Sequence, residues 1–158
     1  MKALIFNRAR RRFSTGIAVL AAAKIGLTHA AATPNAADPF QQRINAASNG
    51  APIREGRVRI DTPSLADNGH SVPIIVKVES PMTIDDYVRR IRLVSENNPR
   101  PLVATFHLSP RSGRAEISTR IRLNKTQRLV ALAEMSDGTC WSAQAEVIVT
   151  ESACLDAD

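Results

Sequence analysis

From residue 57 onward the chain alternates apolar and polar side chains with a period of two, in short runs separated by turn formers. Val58 and Ile60 alternate with Arg57, Arg59 and Asp61, and Val72, Ile74, Val76 and Val78 form a second run closed by Ser80-Pro81. Ile91 and Leu93 alternate with Arg90 and Arg92; after the break Asn97-Asn98-Pro99-Arg100-Pro101 come Leu102, Ala104, Phe106 and Leu108. Between Arg114 and Leu123, Ala115, Ile117, Thr119, Ile121 and Leu123 share one face, and Arg114, Glu116, Ser118, Arg120 and Arg122 share the other. Successive side chains of a strand point to opposite faces, so each run predicts a half-buried strand. Leu129 to Met135 is apolar on both faces and predicts a central strand. Asp137-Gly138 then predicts a tight turn into a last strand with Trp141, Ala143, Ala145, Val147 and Val149 inward.

One helix precedes these strands. Asp38 is a good N-cap and Pro39 suits the first helical position, which predicts a short helix over 39–47 that ends near Asn49-Gly50. Seven short strands at roughly ten-residue spacing and a single helix predict an all-β fold, an immunoglobulin-like antiparallel β-sandwich. Such sandwiches serve as adhesins, chaperones, carriers and enzyme modules, so function has to be read from particular residues.

The formal charge of +6 is unevenly placed. Residues 1–32 carry Lys2, Arg8, Arg10, Arg11, Arg12 and Lys24 without a carboxylate, whereas residues 33–158 balance 15 basic against 15 acidic side chains. The basic excess therefore gives no reason to expect nucleic acid or a membrane as partner. Residues 1–32 read instead as an export signal, with a basic start, an apolar stretch from Gly16 to Ala23 and small residues at Ala30 and Ala32. The stretch is too short to span a bilayer, which takes about 20 apolar residues, and Lys24 interrupts it. Arg10 and Arg11, followed by Arg12 and Phe13, have the twin-arginine spacing, so a periplasmic protein is expected. The organisation expected is a signal over 1–32, a spacer and short helix over 33–52, a sandwich over 53–150 and a tail over 151–158.

Catalytic constellations are absent: the chain has no glycine-rich phosphate loop, no G-x-S-x-G and no paired-cysteine motif. His70 and His107 are too few for a metal site, and no cofactor or metal is expected. The residues with chemistry to offer are two thiols. Cys140 opens the last strand on the face of Ser142, Gln144 and Glu146, which reads as a partly buried or interface cysteine. Cys154 lies in the tail Glu151-Ser152-Ala153-Cys154-Leu155-Asp156-Ala157-Asp158, beyond the last strand, where a thiol is reachable. A ten-residue strand of ~33 Å separates the two, so a disulfide between them is not expected. Cys154 is open to three uses: a carrier thiol, an interchain disulfide, or none. The arginine rows Arg89, Arg90, Arg92 and Arg114, Arg120, Arg122 read as solvated faces or as a contact surface for an acidic partner.

Several runs carry a resemblance. Asn68-Gly69-His70-Ser71-Val72-Pro73-Ile74, Ser80-Pro81-Met82-Thr83, Asn98-Pro99-Arg100-Pro101, Ala104-Thr105-Phe106-His107, Ser112-Gly113-Arg114-Ala115, Ser118-Thr119-Arg120-Ile121-Arg122-Leu123 and Met135-Ser136-Asp137-Gly138 resemble, in the right order, the SoxY family of the bacterial thiosulfate-oxidising Sox system. The resemblance implies a non-catalytic periplasmic carrier that pairs with a SoxZ-like subunit, meets other Sox enzymes transiently, and holds sulfur intermediates covalently on a tail cysteine, here Cys154. The strand-face pattern, rather than the resemblance, makes Arg114, Arg120, Arg122 and Cys140 the candidates for the partner interface. In the family the cysteine stands in a Gly-Gly-Cys-Gly-Gly tail, whereas this chain reads Ala153-Cys154-Leu155-Asp156. Ala153 and Leu155 restrict the backbone, and Glu151, Asp156 and Asp158 should raise the thiol above the ~8.5 of a free cysteine. The competing expectation is a periplasmic binding or assembly module whose sandwich face does the work and whose tail cysteine is vestigial or cross-links subunits.

Overall fold

A computed structural model describes residues 38–152. The helix α1 spans Pro39–Ala47, as expected, and the Asp38 side chain accepts from the Phe40 N–H at 3.0 Å to cap it. Nine strands follow: β1 (Ile53–Glu55), β2 (Val58–Asp61), β3 (Leu65–Ala66), β4 (Val72–Val78), β5 (Val88–Ser95), β6 (Leu102–His107), β7 (Glu116–Ile121), β8 (Gln127–Met135) and β9 (Cys140–Val149). All seven anticipated strands are present. The strand read over 114–123 is shorter at both ends, and the two additions, β1 and β3, are short strands that pair parallel to β9.

The strands form two sheets, one in the order β1-β9-β8-β5-β6 with β3 also on β9, the other β2-β4-β7. Apart from β1 and β3, the pairings are antiparallel. The β-sandwich with one short helix is thus the fold expected.

β8 explains why a strand can be apolar on both faces. Its Leu129, Ala131, Ala133 and Met135 join Ile74 and Val76 of β4, Ile91 and Leu93 of β5 and Val147 of β9 in the core between the sheets. Its Val130 and Leu132 face the other way and meet Phe40 and Ile44 of α1, together with Val94 and Cys140. Phe40 and Ile44 are four residues apart, one turn along the same helical face, which is how a nine-residue helix covers the outside of the larger sheet.

Charges tie the helix down. Arg128 donates to Glu96 at 2.6 Å and to Asp38 at 2.8 Å while its guanidinium lies 4.9 Å from the Phe40 ring. Arg92 donates to the Ala47 carbonyl at the helix C-terminus. Arg90 forks onto Glu134 at 2.9 and 3.0 Å, and the Arg92 guanidinium stands 3.8 Å from the same carboxylate. The row Arg90 and Arg92 is therefore paired within the chain, and not the free basic surface that alternation suggested.

Candidate functional site: the root of the cysteine-bearing segment

Cys154, with Arg10, Arg11 and Phe13 of the expected signal, lies outside the described residues. What the structure places is the point two residues before Cys154. β9 continues as a hydrogen-bonded ribbon beyond Val149: the Thr150 N–H donates to Ala66 O at 3.1 Å and its hydroxyl to Asp67 O at 2.7 Å. The Glu151 carbonyl accepts from the Gly69 N–H at 2.8 Å, and the Ser152 hydroxyl donates to Asn124 Oδ1 at 2.5 Å.

Gly69 is the tightest point of this clasp. Its carbonyl accepts from the Leu123 N–H at 2.9 Å, and a Cβ at this position would stand 2.2 Å from Leu123 O and 3.0 Å from Glu151 O. Only glycine lets the turn before β4, the end of β7 and the root of the segment approach so closely.

Beneath the clasp lies a polar network. Asn98 Oδ1 accepts from the Asn124 N–H and from Gln127 Nε2, both at 3.0 Å, while Asn98 Nδ2 donates to Arg122 O at 2.8 Å. Gln127 Oε1 accepts from the Asn97 N–H at 3.0 Å, and the Gln127 side chain is only 2 % exposed. A satisfied buried network of this kind fixes geometry, because each unmade bond would leave a desolvated polar group. Among the described residues no buried side-chain polar atom lacks a partner. Ser152 is therefore a fixed origin, and Cys154, two residues on, lies within ~7 Å of it along the chain.

Of the two thiols, the structure describes Cys140. Cys140 is 2 % exposed, under α1 with Phe40, Ile44 and Leu132, so the reading of Cys140 as an interface residue does not hold on this chain: the helix covers that end of β9. Burial, reinforced by the Glu134 carboxylate and opposed by Arg92, pushes its thiol up, which makes it a poor nucleophile. β9 runs unbroken for ten residues from Cys140. Its ends lie about 30 Å apart, and five residues back from Val149 recover only ~17 Å, so no disulfide can join Cys140 to Cys154.

The candidate interface arginines divide. Arg120 donates to the Ser71 hydroxyl at 2.6 Å and to its carbonyl at 3.2 Å. Arg114 and Arg122 are exposed. Arg120 and Arg122, with Arg100, rim a groove between β6 and β7 whose floor is Leu102, Phe106 and Ile121. The groove exists because β6 ends one sheet and β7 ends the other. Arg114 is not part of it. His70 is exposed beside Asn68, and no group of three or more potential metal ligands occurs among the described residues.

Sequence reading missed Gly69, Asn124 and Gln127 as parts of the site. Each is an ordinary turn or strand residue by local pattern, and only long-range pairing brings them together.

Comparison with known proteins agrees with this architecture. No curated protein sequence matches the chain. A solved structure of the sulfur carrier protein SoxY from Chlorobium limicola f thiosulfatophilum is similar at 32% identity and a TM-score of 0.58, over 70% of this chain and 94% of that one. A superoxide reductase, neelaredoxin, from Ignicoccus hospitalis matches at 19% identity and a TM-score of 0.54, over 60% of this chain and 80% of its own, which is a likeness of fold alone. The family model for the sulfur oxidation protein SoxY matches residues 44–154, a span that includes the clasp at Gly69 and reaches Cys154 itself. The chain belongs to the SoxY family.

Proposed function

We propose that this chain is a non-enzymatic sulfur carrier that holds its cargo covalently on Cys154, in the periplasm, as a heterodimer with a SoxZ-like subunit. The observation that carries the reading is the hydrogen-bonded root at Glu151 and Ser152, which fixes the chain two residues before a thiol that the family match includes. A carrier needs a reachable thiol on a defined origin, and Cys140, buried and pushed up, cannot serve.

The chemistry follows from the thiol. When the Cys154 thiolate joins the outer sulfur of thiosulfate, one S–S bond forms and two electrons leave. The sandwich offers no group to take them, so a partner redox enzyme is part of the reading. The adduct remains attached while hydrolytic partners remove the oxidised sulfur.

Protein from thiosulfate-exposed cells, cleaved after glutamate, releases residues 152–158 as one peptide and leaves Cys140 on another, bounded by Glu134 and Glu146. A mass increase confined to the 152–158 peptide is expected; unmodified Cys154 under sulfur-oxidising conditions would overturn the reading. Cys154→Ser should abolish sulfur oxidation and leave co-purification of the SoxZ-like subunit intact. Unchanged oxidation would favour a binding module instead.

A further inference from the structure

The groove between β6 and β7 gathers Arg100, Arg120 and Arg122 on its rim, and no carboxylate lines it. β6 ends the larger sheet and β7 the smaller one, and among the described residues no backbone hydrogen bond joins the two, so each offers an unpaired strand edge along the groove. Glu116, the one acidic residue of β7, stands across from Lys77 of β4 in the sheet register. Arg120 is held by Ser71, whereas the guanidinium groups of Arg100 and Arg122 have no ion-pair or hydrogen-bond partner among the described residues. Charge on an edge guards it against indiscriminate pairing. Three charges of one sign leave the edge open to a strand of the opposite sign.

The alternation of β7 dictates what can lie beside it. Ile117 and Thr119 are half-buried and Ile121 is buried on its inner side, while Ser118, Arg120 and, just past the strand, Arg122 are exposed on its outer side. A strand hydrogen-bonded to this edge has the same period of two, with side chains ~5 Å from those directly opposite. Its inward side chains meet the apolar floor, where Phe106 is half-buried and Leu102 is 50% exposed. Its outward side chains meet the guanidinium groups. Apolar residues inward and carboxylates outward are the complement of both faces. A second copy presented face to face sets the same three arginines against themselves, which favours a different chain as occupant.

We propose that the free edge of β7 takes an acidic strand from a partner protein as a fourth strand of the smaller sheet, with its apolar side chains on Leu102 and Phe106 and its carboxylates against Arg100, Arg120 and Arg122. Main-chain hydrogen bonds along the edge supply affinity, and the arginines select the sign and register of the incoming strand. The docking stands on the open edge, the apolar floor and the charge, and holds whether or not Cys154 carries sulfur.

The probe is a fluorescently labelled, end-capped peptide of alternating glutamate and valine, titrated with the purified full chain and read by anisotropy. It should bind more tightly than its block isomer, with all glutamates before all valines, than its lysine–valine counterpart, and than a form N-methylated at alternate backbone nitrogens. Arg100→Ser with Arg122→Ser, both exposed, should weaken binding about fivefold, the scale of two exposed ion pairs. Leu102→Ser should weaken it through the floor without changing charge. Arg114→Ser, outside the groove, should leave it unchanged. Equal binding of the block isomer or of the N-methylated form would reduce the contact to charge alone and overturn the strand addition, as would displacement of the peptide by dextran sulfate at equal charge concentration. A double variant that binds as the unmodified chain does, or an Arg114→Ser effect as large as that of the double variant, overturns the assignment to this groove. Self-association in sedimentation velocity that the double variant abolishes also overturns it, and gives the groove to a second copy.

Discussion

Replacing Gly69 by alanine tests whether the root of the segment is held by a close backbone approach. The added Cβ would lie 2.2 Å from Leu123 O, with Glu151 O and Val149 Cγ1 each at 3.0 Å. Relief takes a shift of about 1 Å, and the atom in the way is backbone belonging to a residue whose own side chain is fully buried. Overpacking of this kind costs about 1–3 kcal/mol. The shift also strains the bonds from Gly69 N–H to Glu151 O and from Leu123 N–H to Gly69 O, each contributing about 1 kcal/mol. Alanine recovers about 0.4–1 kcal/mol by restricting the unfolded chain. The net expectation is a loss of about 2–4 kcal/mol, or a fall in Tm on the order of 10 °C. Gly50→Ala is the control: Gly50 has φ +76° with nothing within 4 Å of a Cβ, so its cost is the left-handed backbone alone, about 1–2 kcal/mol. Urea unfolding of both variants measures the difference. If Gly69→Ala proves no worse than Gly50→Ala, the clasp is not a steric constraint and Ser152 is not a fixed origin.

Other outcomes follow from the same packing. Asn98→Ala strips partners from the Asn124 N–H, the Gln127 amide and the Arg122 carbonyl, so a loss of about 2–3 kcal/mol is expected in urea unfolding. Phe40→Ala should cost about 3–4 kcal/mol and, by loosening α1, make Cys140 reactive to a thiol-specific chromophore to which the unmodified protein's Cys140 is inert. Arg90, with Arg92 and Arg89, holds Glu134 below the ordinary 4.5 of a glutamate, and Arg128 does the same for Glu96. The unfolded chain takes up these protons first as pH falls, so their stabilisation is full above about pH 4.5 and declines below it. Urea midpoints between pH 7 and pH 3 should show that decline, and Glu134→Gln should flatten part of it.

The strands were legible because burial on one face imposes a period of two, and β4, with Val72, Ile74, Val76 and Val78 buried, matches its run residue for residue. The helix was legible from Asp38-Pro39 alone. That α1 covers the outer face of β8 was not, because only Phe40 and Ile44 of its nine residues are buried, and nothing local says which face they seek. The same gap left Cys140 between two readings, partly buried or at an interface. Its companions Ser142, Gln144 and Glu146 put its face outside, and only the first residue of β9 on that face falls in the cluster beneath the helix. Gly69, Asn98, Asn124 and Gln127 are separated by up to 58 positions and meet through sheet pairing, so no window of sequence contains their network.

If Cys154 carries cargo as proposed, that network also bears on how a partner would meet the thiol. With Ser152 fixed, the Cys154 sulfur can travel roughly 10 Å from its anchor, two peptide units and a side chain. Such an arm cannot enter a deep channel while the sandwich stays outside the rim. On the proposed carrier reading, a partner active site would have to accept the end of the sandwich itself, where the turn at Asn68–His70, the Asn97–Asn98 turn and the loop from Arg122 to Thr126 surround the root. On that reading, the surface that selects partner enzymes would lie on those loops as much as on the residues beside Cys154. Charge reversal at Lys125, which is exposed and next in the chain to Asn124, should slow transfer to a partner enzyme by more than it slows alkylation of free Cys154. Stopped-flow transfer assays over a range of salt concentrations separate the two, because docking between charged surfaces weakens as the Debye length shrinks. A transfer rate indifferent to Lys125→Glu and to salt would place the recognition elsewhere.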